Sequence, residues 1–292
     1  MEKEKAFIKS FENKVKNTIE KYNLVDKDDR VIVACSGGKD STTTLYLMKK
    51  FGYDVEALTI DLSIGDYSKK NLENIKSFCR MCNIKLNLVD VKKELGYSMC
   101  YIKSLIQSKT RLNACAICGV LKKWLLNKKA RELGANKLAT GHNLDDEAST
   151  VVMNLFKANK KLILSLGPKT GVIDDKKFIQ RIKPLYFCLE RDVEKYSRMM
   201  GFPVLYEPCP CSIGAFRKNI KKALNKLEQT NSKIKENLVK MFLELKSDLK
   251  NFYNVKGPIN HCKICDEPCR NNICKKCKLF EIINYKKDAI ST

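Results

Sequence analysis

The chain of 292 residues is short of histidine (two), of tryptophan (one) and of acidic residues, with 33 Asp and Glu against 56 Lys and Arg. No stretch approaches the roughly 18 consecutive apolar residues that a membrane-spanning helix needs. The opening MEKEKAFIKS is charged throughout and has no apolar h-region, which excludes an ordinary secretory signal. Internal repeats and low-complexity tracts are missing too. These absences point to a cytoplasmic protein, in a compartment where structural disulfides are rare. With 44% apolar residues the chain is globular rather than disordered. Its length suits one large domain or two modest ones.

Two abundances stand against those shortages. Fourteen cysteines in a reducing compartment call for metal binding or catalysis. A net charge of +23 calls for a polyanionic partner, most often nucleic acid. Lysine for solubility is the plainer explanation and covers much of the first helix.

The apolar pattern predicts an α/β chain. Residues 3–22 place Phe7, Ile8, Phe11, Val15, Ile19 and Tyr22 at helical spacing. Val31–Cys35 is a continuous apolar run, as in a strand buried on both faces. Strands are expected again at 55–61, 84–91 and 137–140, with helices after Gly38, over 69–82, over 116–133 and on to Phe156. Such alternation implies a parallel sheet, with ligands at the carboxyl ends of its strands. Residues 157–183 turn basic, a short strand is expected near 181–185 and a helix over 190–200, and 216–251 reads as one or two basic helices. The domain expectations are an N-terminal helix (1–27), a nucleotide-binding domain (28–205), a basic helical region (206–258) and a small cysteine-rich module (259–283).

Ser36-Gly37-Gly38-Lys39-Asp40-Ser41 leaves the first strand and opens a helix. Two glycines allow close backbone approach, amide hydrogens converge, and the helix N-terminus adds positive potential, the makings of a phosphate cradle. The spacing does not fit a Walker A loop. Downstream, Cys115, Cys118 and Lys122 stand at i, i+3 and i+7, so two thiols and an ammonium share one helix face. A lysine so placed favours thiolates. A third thiol is offered by Glu207-Pro208-Cys209-Pro210-Cys211. These three could bind zinc, form a redox pair or hold an iron–sulfur cluster. Asp145 and Asp146 follow the 137–140 strand; they suit magnesium binding and proton handling, or simply helix capping. Gly141 and His142 line the same edge. Cys262-x-x-Cys265 and Cys274-x-x-Cys277, eight residues apart, read as a closed four-thiolate zinc site. Cys79 and Cys82 have apolar helical neighbours and no matching second pair, and are expected in the core.

SGGKDS is similar to the PP-loop of the N-type ATP pyrophosphatases, which have an adenine nucleotide α-hydrolase-like sheet. That resemblance implies that Ser36 through Ser41 bind ATP phosphates with Mg2+, and that Asp61 sits near the nucleotide. Together with CxxCGxxK (115–122), GHNLDDEA (141–148) and the Cys209-Pro210 pair, the chain resembles the TtuA-type tRNA 2-thiouridine synthetases from about residue 28 to 282. The resemblance implies a 4Fe–4S cluster on Cys115, Cys118 and Cys209, a catalytic Lys122, and a catalytic Asp146 with Asp145 beside it. It implies a tRNA substrate, a sulfur donor (sulfide or a ubiquitin-like carrier) and a homodimer. Relatives usually carry an N-terminal zinc module as well, where this chain has a basic helix. The expected chemistry is adenylation of a uridine 2-carbonyl, then sulfur replacement. The alternatives are a cluster-free thiolase using a cysteine persulfide and disulfide pair, or a zinc-ribbon RNA-binding protein without catalysis. Basic segments 157–183 and 214–235 would track phosphates, with Phe216 and Arg217 lining the base entrance.

Overall fold

A computed structural model describes residues 2–158, 160–171, 175–212, 216–252 and 260–284. Parts of the two basic segments expected to track RNA (159, 172–174, 214 and 215) and the end of the basic region (253–258) lie outside the described residues.

The elements in order are α1 (Glu2–Lys21), β1 (Val31–Ala34), α2 (Lys39–Lys50), β2 (Val55–Asp61), α3 (Gly65–Met81), β3 (Leu86–Asp90), α4 (Val91–Leu95) and α5 (Met99–Gln107). Then follow α6 (Ala114–Glu132), β4 (Lys137–Thr140), α7 (Leu144–Phe156), α8 (Lys160–Leu164), β5 (Lys169–Thr170), β6 (Gln180–Ile182) and α9 (Glu190–Met199). A 3₁₀ turn (Pro210–Ser212), α10 (Phe216–Thr230), α11 (Ile234–Phe252), β7 (Asn260–His261), β8 (Pro268–Cys269) and α12 (Lys275–Asn284) complete the chain.

The sheet runs β3-β2-β1-β4-β6-β5, parallel except for β5 at one edge. Val31 of β1 pairs with Val55 on one side and Lys137 on the other. The chain winds outward from β1 to β3 and then returns to the other side of β1. The crevice between the carboxyl ends of β1 and β4 is therefore the switch point where ligands bind in such sheets.

The apolar runs of the strands follow from burial on both faces. One face is covered by α1, α2, α3 and α9, whose Val15, Leu45, Phe78 and Tyr196 meet Val31, Val33 and Ala57. The other is covered by α4, α5, α6 and α12, where Ile117, Leu121 and Leu125, each four residues apart, pack on Ile32, Leu58 and Leu138. The N-terminal helix belongs to the first of these cores: Phe11 stacks on Tyr196 with ring centroids 4.6 Å apart. Cys79 lies in the same core at 3% exposure, as its apolar neighbours lead one to expect. Among the described residues no helix is long and apolar enough to cross a membrane.

Candidate active site and cysteine clusters

The loop after β1 is folded tightly on itself. Ser36 N–H donates to Ser41 Oγ (3.1 Å), Ser41 Oγ donates to the Gly38 carbonyl (3.1 Å), and the two serine hydroxyls lie 3.3 Å apart. Gly37 has φ +80°, and a Cβ there would stand 2.5 Å from the Asn71 carbonyl oxygen. Only glycine fits both constraints. Across the crevice, the loop after β4 presses backbone to backbone against this one: a Cβ on Gly141 would meet the Asp40 carbonyl carbon at 2.6 Å. Asn143 Nδ2 donates to Asp40 Oδ1 (3.0 Å) and ties the two loops together. Asp61 closes β2 at the same edge, its Oδ1 accepting from Ser63 N–H at 2.8 Å.

Lys39 lies between two carboxylates, 3.1 Å from Asp40 and 3.0 Å from Glu190. Burial opposes its charge, but the two carboxylates prevail and hold its pKa well above the ordinary value. For Asp40 burial raises the pKa, Lys39 opposes that, and neighbouring Asp146 adds to it. Sequence reasoning did not anticipate Glu190 here, because nothing local marks a residue that meets the loop from 151 positions away.

The geometry separates the two aspartates. Asp145 is 4% exposed. Its Oδ1 meets Lys235 Nζ at 2.5 Å and its Oδ2 accepts from Glu190 N–H at 2.7 Å, so both oxygens are committed to the scaffold. Asp146 is more open. It completes a capping box with Asn143 at the start of α7 and has Lys221 at 4.0 Å. His142 accepts or shares a proton with Thr140 Oγ1 at 2.9 Å. Burial, then Lys183, Arg217, Lys123 and Arg181, drive its pKa down to about 3, so it is neutral at physiological pH.

Asn113 caps α6 through Ala116 N–H (2.8 Å), and the first turns of that helix present Cys115 and Cys118. The 3₁₀ turn lies against them: Cys115 Sγ donates to the Cys211 carbonyl at 3.4 Å. Cys118 has Lys122, Lys103, Cys209 and Cys115 as its charged or ionisable neighbours, so three thiols and two ammoniums converge. Lys122 favours the Cys118 thiolate, as its spacing implies, but does not prevail. Lys122 and Lys103 pull the Cys118 pKa down, but burial outweighs them and it is raised. Lys103 is 6% exposed and donates to Cys211 Sγ at 3.1 Å; Cys211 in turn acts on Cys209, so a fourth thiol lies beside the other three. Phe216 is 46% exposed, with Lys157 Nζ 6.0 Å from its ring centroid.

At the other end, Cys262, Cys265, Cys274 and Cys277 bring their sulfurs within 4.8 Å of one another. Cys265 and Cys274 Sγ are 3.7 Å apart, matching the ~3.8 Å edge of a tetrahedron with ~2.3 Å metal–sulfur bonds. Cys269 stands apart, its thiol donating to the Asn271 carbonyl at 2.7 Å. The module is locked to the main body. Glu267 takes Arg131 and Asn127 of α6, and Leu279 and Ile283 of α12 enter the sheet's core.

A parallel sheet with a glycine-bearing phosphate loop at its switch point, faced by an acidic helix start and a thiol-bearing helix, defines a PP-loop nucleotide-binding enzyme. The PP-loop domain family matches residues 7–227. The tRNA-5-methyluridine(54) 2-sulfurtransferase of Pyrococcus horikoshii is 39% identical, over 97% of this chain and 89% of that protein. The Thermus thermophilus protein of the same name is 32% identical, over 94% of this chain and 83% of its own length. The structure of NcsA, the U34-tRNA thiolase of Methanococcus maripaludis with its 4Fe–4S cluster, superposes with a TM-score of 0.78 at 28% identity, covering 95% of this chain and 88% of that one. The chain belongs to the PP-loop family of TtuA-type tRNA 2-sulfurtransferases.

Proposed function

We propose that the protein uses ATP to adenylate the 2-carbonyl oxygen of a tRNA uridine, releasing pyrophosphate, and then replaces that oxygen with sulfur, releasing AMP. The observation that carries this reading is the meeting of the 36–41 loop, the 141–146 loop and the thiol face of α6 at one edge of the sheet. Lys123 of α6 is among the charges acting on His142, so the helix that carries the thiols reaches the nucleotide side.

Ser36 through Ser41 would hold the phosphates through backbone amides and the α2 N-terminus. Asp40 and Asp146, close enough to influence each other, would hold the accompanying magnesium, and Gly141, His142 and Asp61 would line the nucleotide pocket. Neutral His142 can exchange a hydrogen bond without carrying charge. Asp146 is placed to orient the uridine or take its N3 proton as O2 attacks the α-phosphorus. Asp145 and Lys235 keep the α7 N-terminus fixed while this happens.

Cys115, Cys118 and Cys209 fit a three-cysteine 4Fe–4S site: soft ligands, mutually facing, with the fourth cysteine nearby held by Lys103. Cys115, Cys118 and Cys209 would hold such a cluster through three protein thiolates, and the cluster would supply a site for sulfur delivered by a sulfide or thiocarboxylate donor. Lys122 stands beside these thiols, positioned to steady anionic sulfur and the leaving AMP. Cys262, Cys265, Cys274 and Cys277 would hold a structural zinc. Anaerobic thiolation of tRNA with ATP and sulfide, read by nucleoside mass spectrometry, tests the whole reading. Lys122→Met and Cys118→Ala should abolish 2-thiouridine, and full activity of Cys118→Ala would overturn the cluster. Iron and acid-labile sulfide analysis separates this reaction from a persulfide route. Mapping the product to position 54 or 34 assigns the target.

A further inference from the structure

One thiol at the active edge has no role in the chemistry above. Cys211 belongs to the 3₁₀ turn Pro210–Ser212, two residues after Cys209. That turn packs on α6, the helix that carries the other two thiols, and its backbone touches one of them: Cys115 Sγ donates to the Cys211 carbonyl at 3.4 Å. The turn therefore brings two thiols to the pair on α6, where the reaction as described uses three in all. Cys211 is half-buried, unlike Cys79, which is packed into the core.

Lys103 meets Cys211 from α5. The two helices α5 and α6 share one core, in which Met99, Ile102 and Ile106 lie with Ile117 and Leu121, so Lys103 is fixed beside the thiol-bearing helix. Its side chain is 6% exposed, and its Nζ donates to Cys211 Sγ at 3.1 Å. Among the described residues no carboxylate lies within ion-pair distance of it. A buried ammonium without an anion is costly. A neutral thiol is a poor acceptor for it, whereas an anionic sulfur, free or metal-bound, satisfies it. In a 4Fe–4S cluster, Cys115, Cys118 and Cys209 would serve three irons. The soft ligand that the same turn offers for the fourth is Cys211.

We propose that Cys211 is an exchangeable fourth ligand of the 4Fe–4S cluster, occupying its fourth iron until a sulfur donor arrives, and that Lys103 is the positioning residue that receives the Cys211 thiolate when it is displaced. This rests on the tRNA-thiolation reading and its three-cysteine cluster, and names what guards the sulfur site. The exchange is a ligand substitution. The bond from iron to Cys211 breaks and a bond from iron to hydrosulfide forms. No electron is transferred, and the charge of the displaced thiolate is met by the Lys103 ammonium.

The test uses the full chain with its cluster reconstituted anaerobically, as wild type, Cys211→Ala, Lys103→Met and Lys103→Arg. Mössbauer spectroscopy shows whether one iron lacks a thiolate. Ferricyanide oxidation, followed by electron paramagnetic resonance, shows whether that iron is lost. Without sulfide the wild type should have no distinct iron and should resist ferricyanide. Cys211→Ala should show one distinct iron and lose it, leaving a 3Fe–4S signal. Hydrosulfide titrated against the same spectra should bind Cys211→Ala about tenfold tighter than wild type, because the site is then always open. It should bind Lys103→Met about tenfold more weakly than wild type, the size of one charge-assisted hydrogen bond, and Lys103→Arg should restore the wild-type value. A distinct iron already present in the wild type, and unchanged in Cys211→Ala, would overturn the proposal. Loss of the whole cluster from a folded Cys211→Ala protein would make Cys211 a permanent ligand and overturn the exchange. Cys211→Ser keeps the size of the side chain and covers the case in which Cys211→Ala fails to fold. A wild type that takes up no iron or acid-labile sulfide would sink the cluster reading itself, and iron analysis alone tells that result from a cluster that ignores Cys211.

Discussion

The Asp145–Lys235 pair offers the sharpest test of how this site is held. Lys235 is 3% exposed and touches Asp145 at 2.5 Å and Glu228 at 2.9 Å. Replacing it with methionine keeps the aliphatic stem and removes only the charge. Asp145 is then left with one partner, the Glu190 N–H, and Glu228 with only the solvent-exposed Arg191 at 3.4 Å. An uncompensated buried carboxylate costs about 3–5 kcal/mol, a large share of the roughly 5–15 kcal/mol that holds a domain together. Lys235→Met should therefore lower the urea midpoint with an unchanged m-value and lower Tm by on the order of 10 °C. Adding Asp145→Asn should recover part of that loss, because the stranded charge goes with it. Asp146→Asn, one residue along, should barely change stability while slowing thiolation about 10²–10⁴-fold, the usual contribution of a proton-transfer group. A Lys235→Met loss below about 1 kcal/mol, the range of exposed pairs, would refute the reasoning and return Asp145 to the list of candidates for chemistry.

Three other outcomes follow from particular contacts. Gly141→Ala places a methyl 2.6 Å from the Asp40 backbone, so the phosphate loop must give way. ATP turnover should fall by on the order of 10²-fold, measured as pyrophosphate release, while the fold by circular dichroism stays intact. Cys265→Ser, or a strong chelator, should release the metal and expose residues 260–284 to protease, whereas Cys269→Ser, outside the four-thiol set, should leave metal content unchanged. His142 has a folded-state pKa of about 3 against an ordinary 6.5. Folding therefore favours the neutral ring, and this contribution to stability is present above pH 6.5 and lost as pH falls towards 3. His142→Asn should flatten acid denaturation across that interval. With only two histidines in the chain, imidazole NMR can follow the titration directly.

What was legible in the sequence was whatever its signal is local. Val55–Asp61 and Lys137–Thr140 read as strands because both faces are buried, and the 36–41 loop reads as a cradle because glycine answers a backbone need at Gly37. The two-by-two cysteine spacing declared its cluster for the same reason. α4 and α5 escaped detection because their segment, 91–107, mixes lysine and tyrosine into its apolar pattern; the helix even buries a charged residue, Lys103. The roles that depend on tertiary contact had no local mark at all. Asp145 and Asp146 look alike in the chain, and distant partners distinguish them, above all Lys235, ninety positions later, and the Glu190 N–H, both on Asp145.

The distribution of partners gives the +23 charge a more specific meaning. On the nucleotide side the cations are self-neutralised: Lys39 holds Asp40 and Glu190, and Lys221 pairs with Glu190 and approaches Asp146. A triphosphate arriving there with its magnesium trades partners, since each lysine released to a phosphate frees a carboxylate for the metal, and the net change in pairing is small. By contrast Lys123, Arg181 and Arg217, which act on His142, have among the described residues no carboxylate within ion-pair distance, so a polyanion reaching them gains the full attraction and shows its salt dependence undiluted. ATP affinity should accordingly vary weakly with ionic strength and tRNA affinity steeply, in the same protein and the same buffer. Equal salt slopes for the two ligands would mean that the pairing at Lys39 and Lys221 does not persist in solution.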